Sequence, residues 1–162
     1  MTNASQDARL GTDIELGPLS EQEQVEFFNR PLVARLATMR EDGYPFIAPL
    51  WFQWDGQYFW FVIRERAQFV PNLLRDPRVC VSIATDSHPY VRATIVGRAE
   101  VAAKPGESDK WKEVSRQMTL RYVGDVDPEY YKRTEKYPRW LIQVVPEEMT
   151  TWRGGGWHRR YT

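Results

Sequence analysis

The chain has 162 residues, and its 22 basic and 22 acidic side chains cancel to a formal net charge of zero. Balanced charge lacks the electrostatic footprint of a nucleic-acid or membrane-surface binder, and the longest apolar runs, such as YFWFVI at Tyr58–Ile63, fall far short of the roughly 18 residues of a membrane span. With no basic-then-apolar leader at its start, the expectation is one cytoplasmic globular domain with no nucleic-acid and no membrane partner.

Residues 1–18 show no apolar period and read as a flexible N-terminal arm, leaving 19–162 as the folded domain. Ser20 followed by Glu23 is a capping box, which predicts a short helix with Val25 and Phe28 turned inward. A strand is expected from Leu32 to Met39, then a turn at REDG, then a second strand from Tyr44 to Trp54. The hairpin signal Asp55-Gly56 leads into a third strand from Gln57 to Ile63, so the three read as an antiparallel meander. Pro71 is tolerated only near a helix start, which places the next helix from about Ala67–Val70 to a stop before Pro77. Strands follow at Val79–Thr85 and Val91–Ala102, then a helix from about Ser108 to Tyr122 with Trp111, Val114 and Met118 on one face, and a last strand near Arg139–Thr151. About six antiparallel strands with flanking helices imply a mainly β fold, a closed or nearly closed barrel. The lone cysteine, Cys80, stands among Val79, Val81 and Ile83 and reads as a buried, inert residue of an interior strand. Seven tryptophans and 14% aromatic residues supply a core and can also line the pocket of a planar ligand.

No Ser/His/Asp set is discernible, the histidines are His88 and His158, and no Cys/His spacing suits a metal. No side chain is therefore assigned a catalytic role, and no metal is expected. A protein without its own acid, base or nucleophile can still run redox chemistry that a cofactor carries. Arg64 and Arg66 stand just before the helix that holds Pro71. A helix N-terminus with two guanidinium groups makes a cradle for phosphate or carboxylate; the alternative is a solvated turn of Arg64, Glu65 and Arg66.

Four segments carry a resemblance: ARLATMREDGYPFIAPLWFQWDG, YFWFVIRERAQFVPNL, DPRVCVSI and VRATIVGRAEV. Together they resemble the pyridoxamine 5'-phosphate oxidase-like family of FMN-binding split β-barrels. The resemblance implies a homodimer with a flavin, FMN or alternatively the deazaflavin F420, at the subunit interface. It implies an oxidoreductase that moves hydride or electrons between that cofactor and a small organic substrate; the rival is a non-catalytic module that binds flavin or haem. Carried over, the second strand's contacts with the flavin fall on Leu50, Trp51 and Phe52. The phosphate grip falls on the end of the next strand, Ile63 and Arg64, and on the helix start, where the family's Ser/Thr and Arg-Lys pair map to Ala67, Gln68 and Phe69. The chain departs from the family at all three of those positions. Either Arg64 and Arg66 supply the charge from a shifted position, or the site has lost phosphate affinity, or it favours a different cofactor. The contact with the flavin's pyrimidine edge maps to Arg92, whose plainer reading is a sheet-edge ion pair with Asp86 or a glutamate. Trp152 and WHRRY resemble the tail that folds over the partner's cofactor, whereas Gly154–Gly156 also suit a flexible end.

Overall fold

The computed structural model describes residues 17–154. Residues 1–16 of the expected arm, and the tail from residue 155 with its WHRRY segment, lie outside the described residues. Gly17 forms an antiparallel bridge to Arg153, with backbone bonds of 3.1 and 2.7 Å.

Helix α1 (Glu21–Phe28) starts at the expected capping box, where Ser20 Oγ accepts from the Glu23 amide and Glu23 Oε2 accepts from the Ser20 amide at 2.8 Å. It buries Phe27 and Phe28, whereas Val25 is 49% exposed, so the inward pair is not the expected one. In a helix this short the tertiary contacts, not the pattern of so few positions, decide which stripe turns in. Glu23 is also bonded to Arg153 Nη2, tying the helix to the last strand. The backbone bond at Ser20 and the Arg153 guanidinium hold the Glu23 carboxyl down at about 2, against 4.5 for a free glutamate. A carboxyl depressed on folding stabilises the protein above its unfolded value, and that contribution vanishes as pH falls through the folded value. The melting-temperature gap between wild type and Glu23→Gln is therefore expected to be open at neutral pH and to close between about 4.5 and about 2. A gap independent of pH would show that the ionised carboxylate is not what matters.

Seven strands follow the order β2-β1-β5-β6-β7-β4-β3 in one antiparallel sheet. They are β1 (Ala34–Met39), β2 (Pro45–Leu50), β3 (Gln53–Trp54), β4 (Phe59–Arg64), β5 (Arg78–Ala84), β6 (Val91–Ala103) and β7 (Arg139–Arg153). The expected second strand is broken at Trp51 and Phe52 into β2 and β3: its first half pairs with β1 and its second half with β4, the expected consecutive pairings, but β2 and β4 are not neighbours, and β4 pairs along its length with β7. Because β2 and β3 are opposite edges of the sheet joined by two residues, the sheet must curl until those edges stand side by side. The result is a split β-barrel, mainly antiparallel β as the sequence implies.

Strand alternation points Leu36, Phe59, Phe61, Val81, Ile83, Ile95, Ile142 and Val144 inward, all fully buried, with Phe28 of α1 joining them. Cys80 falls on the other side of that alternation. It is half-buried on the outer face of β5 between the inward Val79 and Val81, which corrects the reading of a core thiol. Helix α2 (Val70–Arg75) carries Pro71 in its first turn, as expected. Helix α3 (Lys110–Tyr122) packs Trp111 against Ala103 and Leu141, with Trp60, Val62 and Val114 around them, so it covers the outer face of β4 and β7. A short helix α4 (Tyr130–Thr134) completes that layer. No helix among the described residues is long and apolar enough to cross a membrane.

Candidate functional site

The link between the two sheet edges is held by α3. Tyr122 accepts from the Phe52 amide at 3.3 Å and donates to the Leu32 carbonyl at 2.6 Å, while Arg121 Nη2 donates to the Phe52 carbonyl. The Arg121 guanidinium lies 5.4 Å from the Phe52 ring centroid and 5.0 Å from that of Tyr122. Burial disfavours both charged forms, pushing Arg121 down and Tyr122 up. Trp51 stacks on Tyr122 with centroids 4.9 Å apart and planes 9° off parallel, and Tyr130 of α4 meets its ring at 5.6 Å. Of the three residues expected to meet a flavin here, Leu50 and Trp51 are half-buried. Phe52 is fully buried, and its amide and carbonyl are engaged by α3. The outer edge of β2 carries Pro45 and Pro49, which lack amide hydrogens and blunt strand addition there.

Helix α4 runs from this aromatic group toward the arginines. Thr134 lines a cavity of about 580 Å³ together with Arg64, Glu65, Arg66, Tyr137 and Arg139. Arg64 stands directly opposite Arg139 in the β4–β7 register, and the Trp140 indole donates to the Glu65 carbonyl at 3.1 Å, fixing the turn. Burial first, then the charge of Arg64, pulls Arg139 below the usual guanidinium value. The helix-start residues lie differently. Phe69 is 7% exposed and stacks on Phe46 at 5.9 Å, and Ile63 is buried, so both side chains belong to the core. Gln68 is exposed and lines a separate cavity of about 690 Å³ with Phe46, Asn72, Arg40 and Arg75. Those two arginines are engaged, Arg40 with Asp42 and Arg75 with the Met39 carbonyl.

Arg92 and Trp152 are register partners on β6 and β7. Asp86, the acid suggested for Arg92, instead lies 3.8 Å from Arg35, and both groups are well exposed. Trp152 is half-buried. The expected residues thus divide into two sets: Trp51, Arg64 and Arg66 are joined through α4 and the start of β7, and Arg92 with Trp152 stands at the far end of β7. That strand has 15 residues, so Arg139 beside Arg64 and Trp152 beside Arg92 are roughly 40 Å apart measured along the curled strand at about 3.3 Å per residue. Trp51, by contrast, follows Leu50, which the β2–β1–β5–β6 registers place level with Ala93.

Arg121, Tyr122, Tyr130 and Arg139 were not singled out by sequence reasoning. Tyr122 and Arg121 end a helix whose apolar stripe drew attention to Trp111 and Met118 instead, and Arg139 gains meaning only through its pairing with Arg64, 75 residues away. Among the described residues no group of three or more His, Cys, Asp or Glu side chains is placed to hold a metal ion.

The arrangement matches known proteins. A conserved hypothetical protein from Mycobacterium tuberculosis superposes with a TM-score of 0.68 at 26% identity, covering 83% of this chain and 85% of that one. An F420 reductase superposes with a TM-score of 0.63 at 28% identity, covering 76% and 93% of the two chains. A haem storage protein from Vibrio cholerae has the same fold, with a TM-score of 0.65 at 22% identity and coverage of 83% and 96%. No curated protein matches the sequence. The family model for pyridoxamine 5'-phosphate oxidase matches residues 20–153, every element from α1 to β7, and the chain therefore belongs to that family.

Proposed function

We propose that this protein is a flavin-dependent oxidoreductase, with FMN as cofactor, that works as a homodimer on a small organic substrate. The observation that carries the reading is the division of the candidate residues between the two ends of β7. Arg64 and Arg66 stand by one end of β7 and Arg92 and Trp152 by the other, and in this reading one ligand meets both sets with Arg64 and Arg66 from one subunit and Arg92 and Trp152 from its partner. Twofold pairing then generates two equivalent interfacial sites. The residues fit the group in a particular way. The helix-start position Phe69 is committed to the core, which leaves the charge for a phosphate to the arginines at the end of β4. When bound, the flavin supplies the hydride and electron transfer; this chain binds the ring beside Trp51, holds the anionic end at Arg64 and Arg66, and places Arg92 of the partner subunit at the ring's polar edge.

The likeness to an F420 reductase at 28% identity favours a second reading, the deazaflavin F420 in the same site. The absorption spectrum and mass of the cofactor that co-purifies, followed by titration with FMN, F420 and riboflavin, decide between the two. Reoxidation of the reduced cofactor by oxygen or a small acceptor separates an enzyme from a binding module. Light scattering is expected to give twice the subunit mass with cofactor bound; a monomer that keeps its cofactor would remove the interfacial site.

Arg64→Ala or Arg66→Ala is expected to weaken FMN binding by about 1–3 kcal/mol, the range for charge-assisted hydrogen bonds, while riboflavin, which has no phosphate, is little affected. Equal losses for both ligands would assign the arginines to the fold.

A further inference from the structure

We infer that the cavity walled by the end of β4, helix α4 and the start of β7 is an oxyanion site, a phosphate or carboxylate pocket in which Arg139 is the principal ligand and Arg64 and Arg66 are flanking donors. For the identity of the anion this rests on the cofactor reading above, in which the group is the flavin's phosphate. An anionic substrate would present the same chemistry.

Arg64 and Arg139 are direct partners on adjacent strands, and like charges in that position oppose folding. Neither they nor Arg66 forms an ion pair among the described residues. Glu65 is the one acid in the lining, against three arginines. Arg139 is moreover half-buried in a cavity that Thr134 of α4 helps to line, and burial lowers its proton affinity. An unpaired guanidinium held partly out of water next to a second cation is costly, and a bound anion removes both penalties at once. The pocket is set before any ligand arrives, because the Trp140 indole bonds the Glu65 carbonyl at 3.1 Å and fixes the turn between the arginines. The neutral groups divide as well. Thr134 donates its hydroxyl back to the Tyr130 carbonyl at 2.9 Å and is committed to its helix, while Tyr137, with Lys136 Nζ 5.3 Å from its ring centroid, lines the mouth and brings a further cation near.

The test titrates the purified protein with inorganic phosphate, reading the rise in melting temperature, for wild type, Arg139→Gln and Arg139→Lys. Wild type is expected to saturate, the glutamine variant to bind about tenfold or more weakly, and the lysine variant to fall between them, since it keeps the charge and loses the fork. In phosphate-free buffer Arg139→Gln is expected to melt at or above the wild-type temperature, because it removes the opposed charge. No saturable phosphate binding in wild type, unchanged binding in Arg139→Gln, or a lower melting temperature of that variant without phosphate would each overturn the site. A competition arm separates the two sources. Displacement of phosphate by FMN but not by riboflavin supports the pocket as the cofactor's phosphate site. Phosphate binding that depends on Arg139 and ignores FMN supports the pocket as the site of a substrate's anion, and it is the cofactor reading of Arg64 and Arg66 that fails.

Discussion

Gly97→Ala is expected to destabilise the protein by about 3 kcal/mol, the upper part of the range for forcing atoms into a packed site. A Cβ built on Gly97 would lie 2.2 Å from the Val145 carbonyl oxygen and 3.0 Å from its carbon, both backbone atoms that no rotamer change can move. The close approach arises because the β6–β7 register shifts between Val96 and Gly97, drawing the two strands together at that step. Relief requires β6 and β7 to part, and β7 carries Arg139 at one end and Trp152 at the other. For a domain of this size such a loss lowers the melting temperature by roughly 10 °C. An unchanged melting temperature would mean that the strands separate at little cost, and the bulge would not be what requires glycine.

Phe28→Ala is expected to cost about 3–5 kcal/mol, read as a shift of the urea midpoint at constant slope. The ring is fully buried and meets Phe52 at 6.5 Å, Trp54 at 5.5 Å and Phe59 at 5.1 Å, the last nearly edge-on at 88°. It therefore packs α1 against the segment where the chain passes from one sheet edge to the other. Phe28→Leu, which keeps most of the volume, is expected to lose much less. Val25→Ala, on the exposed side of the same helix, is expected to stay within about 0.5 kcal/mol of wild type. Equal effects at positions 25 and 28 would contradict the observed orientation of α1.

The local elements were legible because their causes are local. Ser20 and Glu23 cap α1 through bonds three residues apart, and Asp55 closes its hairpin by accepting from the Gln57 and Tyr58 amides at 2.8 and 2.7 Å. Pro71 marks the start of α2 because a residue without an amide hydrogen fits only there. The motif VGRAEV was also visible as part of the family likeness, but the need for its glycine was not, since the Val145 carbonyl that excludes a side chain is 48 residues away.

What required the tertiary structure was which strand lies beside which, and therefore which side chains share a place. Alternation alone could have turned Cys80 outward once Val79 and Val81 were taken as core, because neighbours in a strand face opposite ways. Nothing local, however, separates a meander from a strand that crosses to the opposite edge of a curled sheet at Trp51 and Phe52. That crossing is stabilised by Tyr122 and Arg121 at the far end of α3. The α1 cap, the Asp55 hairpin, most strand positions and the family likeness were legible in the residues, whereas the break at Trp51 and Phe52 was not. Only the pairing of β4 with β7 decided that Arg64 meets Arg139, and only the length of β7 separated them from Arg92 and Trp152. The physical reason is the range of the forces involved: caps, turns and periodicity act over a few residues, whereas strand order is set by burial of a common apolar face, to which every strand contributes and which no single segment encodes.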